Sequence, residues 1–203
     1  MIMKKLFILI VVLFTLYNAK TFAQSSQSSQ SEHLTFSNIP ITGSLSSFVD
    51  KLVKQGFVRR DGSDNMLEGA FADKGSLISV DVTPKSKVVY RVGVIFDDTQ
   101  QWFNIETTYS RFKRLLKSKY GNPIVEVEAF NDKLPNGATM PIIDRMSACK
   151  EGRCRYLSLW KNELGTISLS IAFLGHDLGT YVLLGYIDEK GSVLREKEIS
   201  NDL

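Results

Sequence analysis

Two stretches of this chain carry the same pattern, and that repetition limits its possible folds more than any other feature. Leu45, Phe48, Val49, Leu52 and Val53 recur at helical spacing, Ser44 is placed to cap the first turn, and Gly56 closes the stretch with Phe57 behind it. Trp102, Ile105, Tyr109, Phe112, Leu116 and Tyr120 form a second apolar stripe, closed by Gly121 and barred from continuing by Pro123. Period-two runs follow each stripe and predict strands at 57–60, 66–72, 77–83 and 87–96, then at 124–130, 155–160, 166–173 and 180–188. The alternation is plainest in Ile78/Val80/Val82, in Val88/Tyr90/Val92/Val94/Phe96 and in Ile167/Leu169/Ile171/Phe173, each giving its strand one apolar face. Short polar turns between neighbours predict antiparallel hairpins. The expected fold is α+β: an antiparallel sheet with helices on one face, built from two α-β-β-β-β repeats in tandem, 34–98 and 99–189. Identity between the halves is low, so the match is one of pattern, and a single α+β domain could produce it by chance. Residues 190–203 read as a polar C-terminal tail.

The N-terminus has the parts of a secretory signal over 1–23. Lys4 and Lys5 precede an apolar run of 12 residues, Leu6 to Tyr17, and Ala23 follows Thr21 at a small-residue cleavage site. A membrane-spanning helix needs about 20 apolar residues, so no stable membrane insertion is expected after cleavage. Residues 24–33 read as a flexible Ser/Gln-rich leader. The chain carries 25 Lys and Arg against 22 Asp and Glu; without Lys4, Lys5 and Lys20 the two sets are equal. A neutral mature chain argues against nucleic-acid binding, which needs a positive surplus.

Cys149 and Cys154 enclose Lys-Glu-Gly-Arg, and in an oxidising compartment that spacing favours a disulfide, with a free pair as the alternative, over a metal site, which wants four ligands. The segment 131–153 is longer than its counterpart in the first half, about 23 residues against about five, and carries Pro135, Gly137 and Pro141.

Certain phrases resemble a known group. Leu34 to Leu45 (LTFSNIPITGSL), with Phe48, Leu52, Gly56 and Phe57, and later Tyr120-Gly121-Asn122-Pro123, are similar to small exported proteins of unknown function from Gram-negative gut bacteria. The tandem helix-then-strands order resembles the beta-lactamase-inhibitory-protein-like fold and the small outer-membrane assembly lipoproteins. That second likeness implies topology only, and this chain lacks the lipidated Cys of the lipoproteins.

Motifs for chemistry are sparse. No Gly-x-Ser-x-Gly elbow, phosphate loop or dinucleotide fingerprint occurs. His33 falls at the expected frayed start of the domain and His176 in a turn. Asp61 to Asn65 opens like a calcium loop, but Met66 and Ala72 stand where such a loop needs Gly and Glu. Asp97-Asp98, Glu126/Glu128 and Asp188-Glu189 read as solvated carboxylates, and the basic residues Arg111, Lys113, Arg114, Lys117 and Lys119 as the solvent side of the second helix. No cofactor is implied.

The expected function is therefore a non-enzymatic periplasmic or secreted binding module whose partner is a protein or cell-envelope component. The long insertion and the open sheet face would make the contact, with Leu134, Met140, Ile142, Ile143 and Arg145 as candidate binding residues. Two alternatives stay open: a small-ligand carrier with a pocket between helices and sheet, and an envelope enzyme using a carboxylate pair that spacing does not identify.

Overall fold

The computed structural model describes residues 32–98, 100–130, 140–175 and 179–201. The chain enters through a tight hairpin, β1 (Thr35–Phe36) and β2 (Ile39–Pro40), whose turn residues Ser37 and Asn38 both have positive φ, 47° and 62°. Helix α1 (Leu45–Lys54) follows, with the Ser44 hydroxyl accepting from the Ser47 N–H at 3.4 Å and Gly56 taking φ 97° where the chain leaves. Four strands come next: β3 (Val58–Arg59), β4 (Met66–Phe71), β5 (Lys74–Val82) and β6 (Val89–Phe96). Helix α2 (Trp102–Tyr120) opens the second half, followed by β7 (Val125–Phe130), β8 (Cys154–Asn162), β9 (Gly165–Phe173) and β10 (Thr180–Asp188). A short helix, α3 (Ile142–Lys150), lies in the β7–β8 connection, and α4 (Glu189–Ser200) follows β10.

All eight longer-range strands join one antiparallel sheet in the order β3-β4-β5-β6-β10-β9-β8-β7. The helix-then-four-strands order thus occurs twice, and the second set of strands is laid down in reversed spatial order. Its last strand, β10, meets the last strand of the first set, β6, with Leu183 opposite Ile95 and Ile187 opposite Arg91. Alternation then decides the two faces. Ile78, Val94, Leu184 and Leu169 fall in one cross-strand row and are all buried under the helices. Phe48, Val49 and Leu52 of α1, and Ile105, Tyr109, Phe112 and Leu116 of α2, close over that face. Each such side chain contributes about 1.5–3 kcal/mol relative to exposure. Phe36, Phe71, Phe96, Phe112 and Tyr186 meet in an aromatic cluster beneath the helices, with Phe96 and Phe112 stacked at 3.9 Å. The other face, with Leu77, Ile95, Leu183 and Leu157, lies away from α1 and α2 and is half-buried.

The expected polar tail is instead the helix α4. Its sequence lacks an apolar stripe, so periodicity could not reveal it. It is held at both ends by carboxylates. Asp188, fully buried, accepts from the Gly191 N–H at 2.9 Å as the N-cap, from the Leu34 N–H at 2.8 Å, and lies 3.0 Å from His33 Nδ1. His33 is accordingly tied down rather than frayed, and Asp188 is not a solvated strand-end residue. A side chain at Gly191 would put its Cβ 2.7 Å from that of Tyr90, so only glycine lets α4 approach β6 this closely. At the far end, Glu198 accepts from the backbone N–H groups of Lys85 and Ser86 at 2.7 and 3.0 Å, clamping the β5–β6 turn.

Two outcomes follow for stability. Asp188→Ala leaves buried donors unpaired and removes a cap, and should lower unfolding free energy by about 3 kcal/mol in denaturant titration. The Ser86 hydroxyl, with the Lys85 and Ser86 amides, holds the Glu198 carboxyl below its ordinary value. Its contribution is thus present above the ordinary carboxylate range and lost as pH falls through the depressed value. Glu198→Gln should therefore flatten the fall in denaturation midpoint on acidification, without reversing it.

Candidate functional site

The insertion that the sequence singles out contains one described element, α3, and its placement depends on a single arginine. Arg145 lies with its guanidinium carbon 5.7 Å from the Trp102 ring centroid and 5.6 Å from that of Phe130. Its Nη1 reaches Glu106 Oε1 at 3.2 Å and its Nε donates to the Met140 carbonyl at 3.3 Å. The same Glu106 oxygen accepts from the Tyr156 hydroxyl at 3.3 Å. Trp102, Phe130, Tyr156 and Tyr109 pack edge to face beneath, with centroids 5.2–5.7 Å apart. One cation over two aromatic faces, paired with a carboxylate and only partly exposed, pins α3 to α2 and to the ends of β7 and β8. Burial, then the neighbouring Glu106 charge, pushes the Tyr156 phenol well above its ordinary value, so it remains a neutral donor.

This geometry divides the expected binding residues. Arg145 and the buried Met140 face inward and are used to hold α3, so neither is a free contact residue. Ile142 and Ile143 point outward, 64% and 86% exposed. Leu134 lies outside the described residues. Phe103, 71% exposed in the first turn of α2, is a further outward apolar side chain that the sequence reading missed. Helical spacing marks its neighbour Trp102 as part of the core stripe but carries no signal for Phe103 itself.

Cys149 and Cys154 stand at the end of α3 and the start of β8 as two free thiols, contrary to the expected disulfide. The spacing did bring them together: Cys154 lies beside Cys149 and, with burial, raises its thiol far above the ordinary range. Proximity in a short loop is what the sequence could indicate, whereas the bond itself needs a specific geometry.

The charged groups that could have suggested catalysis are engaged elsewhere. Asp98 is buried, not solvated, and its Oδ1 accepts from Lys74 Nζ at 2.5 Å and Thr108 Oγ1 at 3.0 Å. Glu126 and Glu128 both bind Lys113, and Glu126 also meets Lys117 at 2.8 Å. Burial pulls the Lys113 ammonium down, but the two carboxylates outweigh it and hold it above its ordinary value. Those two of the basic residues on α2 are thereby neutralised by β7. Among the described residues no cluster of three or more His, Cys, Asp or Glu side chains could hold a metal ion.

A groove of about 640 Å³ opens on the uncovered side of the sheet, lined in part by Arg60, Glu68, Leu77, Ile95, Asp97 and Tyr181. It lies on the opposite face from the helices, whereas the carrier reading placed a pocket between helices and sheet. No family model, curated protein or solved structure matches the chain.

Two measurements bear on this arrangement. Arg145→Ala should raise amide exchange across 142–150 by about tenfold or more, equivalent to losing one desolvated cation–aromatic contact, with little change in the rest of the sheet. In the native protein iodoacetamide should label Cys154 well before Cys149, as followed by peptide mass spectrometry, because only the thiolate reacts.

Proposed function

We propose that this chain is an exported, non-enzymatic binding module, periplasmic or secreted, that recognises a protein or cell-envelope component through the outer side of α3. The observation that carries this reading is the exposure of Ile142 and Ile143 on a helix whose own inward residues are fixed by the Arg145 clamp. Two adjacent β-branched side chains at 64% and 86% exposure are poorly placed for a free surface. Covering them would contribute about 1.5–3 kcal/mol each, and a rigid mount lowers the ordering cost of docking. The apolar leader over 1–23 supports export. The carboxylates of Asp188 and Glu198 are taken up by donors inside the chain, which favours binding over hydrolysis.

A photo-crosslinking residue at position 143, introduced in the expressing cell, should trap a discrete adduct. The same residue at Val193, 60% exposed on α4, should not. An adduct at neither position, or equally at both, would remove α3 as the recognition surface. Ile142→Ser with Ile143→Ser should abolish the adduct from a probe on a flanking residue while leaving the unfolding midpoint unchanged.

A further inference from the structure

The uncovered sheet face carries two parallel cross-strand rows of opposite character. One row runs Leu77, Ile95, Leu183, Ser170, Leu157, Val127 across β5, β6, β10, β9, β8 and β7. The next runs Ser79, Gly93, Gly185, Ser168, Leu159, Val125 over the same strands. Over β5, β6 and β10 the first is a ridge of Leu77, Ile95 and Leu183 and the second a trough of Ser79, Gly93 and Gly185; on β9 both rows carry serine, and on β8 and β7 both carry leucine or valine. The trough is bare by construction: a Cβ at Gly93 would lie 2.6 Å from Ser79 Oγ, and one at Gly185 2.8 Å from Ser168 Oγ.

We infer that this face is the interface of a symmetric dimer with a second copy of the chain. A twofold axis across the strands, between the two rows, lays the ridge of each copy over the trough of the other. Ile95 then sits over Gly93 of the mate, Leu183 over Gly185 and Leu77 over Ser79, and the contact is its own complement, as an isologous interface requires. The same operation sets the outer rows against each other. Asp97, on the wall of the groove, faces Arg91 of the mate, while Tyr181 faces Ile187. Arg91 already meets Asp81 at 2.5 Å in its own chain, so the mate's Asp97 joins an existing ion pair. Aligned sheets cross at about 30°, so the registration is tightest at β6 and β10; at β8 the same operation sets Arg155 toward Lys161 of the mate, and the crossing draws those like charges apart. The six strands that the rows cross, about 4.8 Å apart, over six residues of about 3.4 Å, present on the order of 600 Å², the lower end of what each partner gives to a stable interface. Helix α3 lies on the opposite face, so a dimer leaves Ile142 and Ile143 of both copies open, and this inference is independent of the proposed function.

The test uses the full chain, expressed with its own N-terminal segment and purified as the cell delivers it. Sedimentation equilibrium should give twice the chain mass. Leu183→Glu should give a single chain mass with an unchanged far-ultraviolet spectrum. Asp97→Arg and Arg91→Asp should each weaken self-association by about tenfold or more through like-charge contact. Mixed together, the two variants should pair, since each then meets its opposite across the axis. Positions 91 and 97 are about 20 Å apart along one strand, so recovery on mixing cannot arise within a chain. A wild-type chain that sediments as a monomer at its highest soluble concentration would overturn the inference. So would charge variants that associate as tightly as wild type, or a mixture that stays dissociated.

Discussion

The ladder between β6 and β10 is the constraint on which the rest of the molecule depends. Each half of the chain supplies a helix and four strands, and neither set is closed at its inner edge. Pairing Ile95 to Arg91 with Leu183 to Ile187 removes both inner edges at once and makes one eight-stranded sheet. Because the pairing register is fixed there, every row across the sheet is fixed with it. The buried row of Ile78, Val94, Leu184 and Leu169 and the half-buried row of Leu77, Ile95 and Leu183 both run unbroken through this seam.

Polar groups complete what the ladder begins. The Asp188 carboxylate, at the end of β10, gathers the start of the domain and the start of α4 into one buried site. Glu198 then fastens the other end of α4 to the β5–β6 turn. A helix with almost no apolar stripe is thereby held by hydrogen bonds at its termini, where backbone groups most need partners. Arg145 does comparable work for α3, replacing apolar burial with a cation between two aromatic faces and a carboxylate. Of these two anchored helices, only α3 turns large apolar side chains to solvent in its first turn.

Much of this architecture is legible in the sequence. Helices α1 and α2 and the eight strands of the large sheet announced themselves through spacing, since burying one face of an element forces a period on the apolar residues. The glycines at 56 and 121 marked the ends of the helices because the chain needs a positive φ there. The candidate site was half legible. Ile142 and Ile143 were singled out and are exposed, but Arg145 and Met140 were read as contacts and face inward. Nothing in the local sequence says that Arg145 will find Glu106 some forty positions earlier, or that Phe130 and Trp102 will lie beneath it. His33 and Asp188 failed in the same way, each looking solvated until the fold brought them within 3.0 Å.

What the sequence alone determined is the helices α1 and α2, the strands of the large sheet and which side of each strand is apolar, because those follow from neighbours three, four or two residues apart. The tertiary structure decided the strand order, and with it which residues share a row. It also decided which carboxylates are buried, and that the second apolar row on the uncovered face lies beside a trough of glycine and serine. Those facts depend on contacts between residues up to 155 positions apart. Such contacts leave no periodic trace in the chain, since each one is a single meeting and not a repeat.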